Sequence, residues 1–214
     1  MTIRPLLLTV TALLIPIDTF AQTAEPIGPF AADLRIVMPR FKEDVGVSTA
    51  LGVASTNLPT RGLGIAGGVH WYPVHMGQLV KLGIGGEILI SGGSNTAEPE
   101  TEGGADGPTV NTRFTSVSPQ VSLNFGKRQG WSYLTGGIGW AGFRTELESS
   151  PVADSDSRPR VFNYGGGARW FAKEHLAVSL DLRFYAVSAQ EAAVGRPAYP
   201  SMTLMVISGG ISVK

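Results

Sequence analysis

The chain has 214 residues, 28 of them glycine, and its 17 basic side chains balance 17 acidic ones. That length suits a single all-β domain. Charged residues make up only 16% and form no basic block, which argues against nucleic acid as a partner. With no cysteine, the chain has no disulfide framework, no thiolate metal site and no lipidated N-terminal cysteine.

Residues 1–21 read as a secretory signal. Arg4 supplies the positive region, Leu6 to Ile17 the short apolar core, and Thr19-Phe20-Ala21 the small-residue cleavage site before Gln22. The apolar core is too short to span a bilayer, which takes about 20 residues. Residues 22–30 form a leader containing two prolines, and the predicted barrel domain covers 31–214.

Its first strand is Ala31–Met38, with Ala32, Leu34, Ile36 and Met38 against Asp33 and Arg35. Phe41–Thr60 reads best as a long loop, with a short helix or a hairpin tip as alternatives. Gly62–Tyr72 and Val80–Ile90 alternate as strands around a brief turn at His75-Met76-Gly77. Ser91–Asn111 is a polar run, predicted to be a long exposed loop. Phe114–Phe125 and Trp131–Thr145 form the next pair, joined by a tight turn, and Glu146–Pro159 is a third long loop. Arg160–Gln190 holds the clearest hairpin. Leu176, Val178, Leu180, Leu182 and Phe184 lie on one face, Ser179, Asp181, Arg183 and Tyr185 on the other. Glu191–Pro200 is the fourth long loop and Met202–Lys214 the last strand. No segment of the mature chain has the length and apolarity of a transmembrane helix, so any membrane passage must be made by a closed barrel.

The connections run long, short, long, short, long, short, long. Outer-membrane barrels have this rhythm, with short periplasmic turns and long extracellular loops. The expected fold is therefore all-β: an eight-stranded antiparallel up-and-down transmembrane β-barrel, with lipid on the apolar face of each strand. Two further features favour that inversion over a soluble barrel. The polar face carries Gly64, Ala66, Gly68, Gly83, Gly85, Gly165 and Gly167, small residues that make room inside a narrow barrel. A hairpin centred on Glu174 sets Gly167 against Asp181 and Gly165 against Arg183. In addition, Gly-Gly-x-x-Trp recurs at Trp71, Trp140 and Trp170, always with tryptophan on the apolar face. With Phe125, these residues are the expected aromatic girdle at the two interfaces.

Strands such as Leu134–Phe143 (LTGGIGWAGF) and Phe162–Phe171 (FNYGGGARWF) resemble those of the small outer-membrane β-barrel proteins of Gram-negative-type bacteria, the eight-stranded porin-family-like group. The likeness covers Ala31–Lys214. It implies residence in the outer membrane and, as partners, outer-membrane lipid and lipopolysaccharide. Such barrels commonly end in phenylalanine; this chain ends Ile211-Ser212-Val213-Lys214.

The inward-facing ionisable set is Asp33, Arg35, Lys81, Glu87, Arg169, Asp181 and Arg183, with His70 beside them. Desolvation in a narrow lumen demands that these charges pair, and Arg169–Asp181 is the expected diagonal pair. Gly62–Gly67 matches G-x-G-x-x-G, and Glu87 follows at the right distance, but the run is itself a strand and no helix begins there. His75 and His175 fall in short turns, away from the rim where lipid-trimming barrel enzymes group histidine, serine and acid. No catalytic, cofactor-binding or metal-binding residue is identified. Glu98, Glu100, Glu102 and Asp106 form an acidic loop without calcium-loop spacing.

The expected protein is a non-enzymatic monomer with a side-chain-filled lumen. Its role is structural or one of surface interaction, with an extracellular partner met through four long loops. The alternatives are a narrow channel, a lipid-modifying enzyme, or a soluble lipocalin-like carrier.

Overall fold

The computed structural model describes residues 29–77, 79–99, 104–127, 130–151, 158–192 and 197–214. The signal segment and nearly all of the leader lie outside them, as do Glu100 and Glu102.

Eight antiparallel strands close into one up-and-down barrel. They are β1 (Phe30–Arg40), β2 (Leu63–Met76), β3 (Val80–Thr96), β4 (Thr109–Lys127), β5 (Gly130–Leu147), β6 (Arg160–Phe171), β7 (Leu176–Val187) and β8 (Met202–Val213). Closure is made by β1 and β8, in register from Ala32 opposite Val213 to Arg40 opposite Met205. The hairpin of β6 and β7 sets Gly165 opposite Arg183 and Gly167 opposite Asp181.

The faces are inverted relative to a soluble protein. On β7, Val178, Leu180 and Leu182 are exposed on the outside, while Ser179, Asp181, Arg183 and Tyr185 are buried within. The same holds on β1, where Leu34 and Ile36 are more than half exposed and Asp33 and Arg35 are buried. An apolar exterior around a polar interior requires lipid as the solvent, and it removes the soluble carrier from consideration.

β2 to β5 continue past the lengths read from the sequence. Ser91–Thr96 and Thr109–Asn111 belong to the β3–β4 ladder rather than to a loop. Above the apolar band a strand needs only backbone pairing, so apolar alternation stops while the ladder goes on. β2 runs to Met76 through a register shift between Trp71 and Val74. Pro73 sits in that shift and has no N–H to donate.

The long first connection folds as α1 (Val45–Leu51) and a 3₁₀ turn at Ser55–Asn57. The Asp44 side chain accepts a hydrogen bond from the Val47 N–H at 2.8 Å and caps the helix. Gly52 ends it in the left-handed region, φ 71°, which favours glycine.

Candidate functional site in the lumen and its mouth

Alternation sends every second side chain of each strand inward, and the interior they make has three tiers. The middle tier holds three carboxylates and three guanidinium groups, all buried. Arg169 grips Asp33 in two-point contact, Nε to Oδ1 at 2.9 Å and Nη2 to Oδ2 at 2.6 Å. Ser212 also donates to Asp33. Glu87 is paired with Arg35 and stands 3.2 Å from Arg183 Nη1. It also accepts the Tyr185 hydroxyl at 2.5 Å. Asp181 lies 3.0 Å from Arg35 Nη1, and accepts from Arg183 Nε at 2.9 Å and from the Tyr133 hydroxyl at 2.8 Å. Arg35 and Arg183 thus each bridge Glu87 and Asp181. Unpaired charge in so buried a place would be costly, and the geometry leaves each carboxylate with at least two donors.

Arg169 is not paired with Asp181. It reaches across the lumen to β1, and Tyr133 occupies the space between the two residues. The Tyr133 ring lies under the Arg169 guanidinium, 4.1 Å from its carbon to the ring centroid, while its hydroxyl binds Asp181. Gly167 makes this possible, because a Cβ there would come within 2.7 Å of the Tyr133 hydroxyl oxygen. Gly83 serves Tyr72 in the same way, and Gly165 accommodates Arg183. Lys81 is inward-facing but one level lower, beside His75 and Asn124 in the register. His70 bonds Gln120 at 3.1 Å, and Gln120 donates to Asn163 at 2.9 Å.

Below this tier, toward the short turns, Trp131 and Phe171 pack with centroids 4.8 Å apart beside Tyr72. The Lys214 ammonium stands over Phe171 at 4.8 Å. Above it, toward the long loops, the interior turns apolar. Phe114 meets Tyr185 edge-on at 5.5 Å, and Phe143 meets Tyr199 at 5.3 Å. Val47 of α1 and Leu58 pack onto this layer. A cavity of about 870 Å³ opens at this mouth, with Phe143, Val161 and Tyr199 among its apolar walls and Lys42, Glu43 and Asp44 at its edge.

On the outside, Trp71 and Trp170 lie near the short-turn end and Trp140 nearer the long loops, all about half exposed. Phe125 pairs with Val80 at the short-turn end. Gly62–Gly67 runs into β2 without a helix following it, so no helix terminus is there to hold a phosphate. His75 and His175 stand at the short-turn end, far along the strands from the mouth, and His175 is 3.6 Å from Glu174.

Tyr133, Tyr72 and Trp131 are among the interior residues that the sequence reading missed. The signal was present in the alternation of β5, since Tyr133 flanks the outward Leu134 and so must point inward.

The chain matches the family described as outer membrane protein beta-barrel domain over residues 8–204. Among solved structures, Neisserial surface protein A (NspA) is similar with a TM-score of 0.54 at 10% identity. That alignment covers 87% of this chain and 97% of the neisserial one. The Pseudomonas aeruginosa protein OprG aligns with a TM-score of 0.45 at 7% identity, over 86% and 94% of the two chains. The N-terminal barrel of Pseudomonas aeruginosa OprF gives 0.39 at 11%, over 86% and 96%. No curated protein matches the chain.

Proposed function

Because the chain belongs to the outer membrane protein β-barrel domain family and resides in the outer membrane, we propose that it is a non-conducting, non-enzymatic barrel serving the cell surface. The three-tier packing of the lumen carries this reading. An ion or solute crossing the barrel would have to break the Asp33–Arg169 pair and the Glu87–Asp181 bridges, then displace Trp131 and Phe171. Eight-stranded barrels have interiors just wide enough for side chains to fill.

The contact surface for an extracellular partner is the mouth. The folded first loop and the cavity at the mouth present apolar walls with Lys42, Glu43 and Asp44 at one edge. A monomer suffices for this, since closure leaves no strand edge to pair with a second copy. Against the enzyme alternative stands the placement of the histidines. His75 and His175 lie at the opposite end from the mouth, and His70 is held in the lumen by Gln120.

Planar-bilayer recording with the refolded full-length mature protein tests the proposal. The expected trace shows no discrete steps in molar potassium chloride. Reproducible ohmic steps would make the barrel a narrow channel and overturn the reading.

A further inference from the structure

Among the described residues, the outward face carries arginines at the long-loop end. Arg40, Arg61, Arg113, Arg144 and Arg160 stand at the long-loop ends of β1, β2, β4, β5 and β6, where the apolar band stops. Two pairs are set in direct opposition across neighbouring strands: Arg113 faces Arg144, and Arg40 bridges to Arg61. Like charges directly opposite one another destabilise a sheet. Glu146 stands 3.5 Å from Arg144 and offsets charge in the first pair.

A groove of about 700 Å³ lies beside that first pair on the same outer face. The register explains its shape. Leu63, Gly92, Arg113 and Arg144 form one row across four strands, and Ile65 and Ile90 lie in the row beneath. Gly92 leaves the row without a side chain next to the arginines, and a Cβ there would meet nothing nearer than 3.4 Å. The result is an apolar trough running down into the lipid band from an upper edge that carries Arg113, Arg144 and Glu146.

We propose that this trough binds one lipopolysaccharide molecule of the outer leaflet. The Arg113 and Arg144 guanidinium groups hold a phosphate of the lipid's sugar head, and an acyl chain lies over Gly92 against Leu63, Ile65 and Ile90. Guanidinium is the group suited to phosphate, because it presents parallel N–H donors in a plane. An anion between Arg113 and Arg144 also relieves their mutual repulsion. The long-loop end is the extracellular end, so the site faces the leaflet where this lipid is found. The proposal rests on outer-membrane residence and not on the filled lumen.

Native mass spectrometry of the full-length mature protein in mild detergent tests it. The probes are lipopolysaccharide with a short sugar chain, its dephosphorylated form, phosphatidylglycerol and inorganic phosphate. The wild-type protein is expected to retain the phosphorylated lipopolysaccharide in preference to the other three. Each lost charge-assisted contact weakens binding by about tenfold or more, so R113Q/R144Q should lose about a hundredfold. G92L, which fills the trough and leaves both arginines, should also lose the lipid, while R158Q on an exposed loop should retain it. The boiled-against-unboiled gel shift reports that each variant is folded. Undiminished retention by folded R113Q/R144Q would overturn the site, as would equal retention of the dephosphorylated lipid. Phosphatidylglycerol held as tightly as lipopolysaccharide would overturn the assignment of the occupant.

Discussion

Replacing Glu87 by alanine removes the one carboxylate shared by Arg35, Arg183 and the Tyr185 hydroxyl. The middle tier then passes from three charges of each sign to an excess of one positive charge, buried away from bulk solvent. At the 3.2 Å separation from Arg183, the gross attraction is about 5 kcal/mol for an effective dielectric constant near 20. Breaking a buried pair from one side costs about 3–5 kcal/mol, because the surviving charge is left desolvated. Asp181 still faces both arginines and keeps the loss toward the lower part of that range. Equilibrium unfolding in urea, followed by tryptophan fluorescence in vesicles, should show the midpoint falling by ~1 M or more. Glu87→Gln keeps the shape and an acceptor for Tyr185 but not the charge, so its midpoint should lie between those of alanine and wild type. If Glu87→Gln matches the wild type, charge balance is not what holds this tier together and the reasoning fails.

Gly167→Val should cost at least about 1–3 kcal/mol through overpacking, because its Cβ collides with the Tyr133 hydroxyl and with β7 backbone. Gly130→Ala, with nothing within 4 Å of the added Cβ, should leave the gel shift and unfolding midpoint unchanged; equal effects at the two positions would refute the packing argument. Asp44→Ala removes the cap of α1 and should weaken that helix by about 0.5–2 kcal/mol. Faster amide exchange at Val47 and Ser48 with an unaltered barrel is the expected readout, and unchanged exchange there would count against the capping role.

How much of this was legible in the sequence depends on how local the cause is. The register of the β6–β7 hairpin follows from alternation and a four-residue turn, and Gly165 and Gly167 stand opposite Arg183 and Asp181 as that reading expects. The partner of Arg169 does not follow from such rules. Asp33 is 136 residues away in sequence, and the two meet only because β1 closes the barrel. Tyr133 intervenes from a third strand. The helix at Val45–Leu51 is too short to show a period, and its glycine and β-branched residues argue against it. Only the Asp44 cap and Gly52 marked its ends. The upper parts of β3 and β4 lie beyond the apolar band, where backbone pairing sustains a strand without leaving a hydrophobic pattern.

The central claim is an inverted barrel with a filled interior, and adjacent positions on β8 test it most directly. The chain has no cysteine, so Ile207→Cys and Ser208→Cys each introduce a unique thiol. Ile207 is exposed on the outer face, and Ser208 is 2% exposed and opposite Asp181. In vesicles, Ile207→Cys should react with a lipid-dissolved maleimide and not with a charged, water-soluble thiol reagent. Ser208→Cys should resist both until the protein is unfolded. Rapid modification of Ser208→Cys by the charged reagent would contradict the account, since it would put water where these residues place a packed interior.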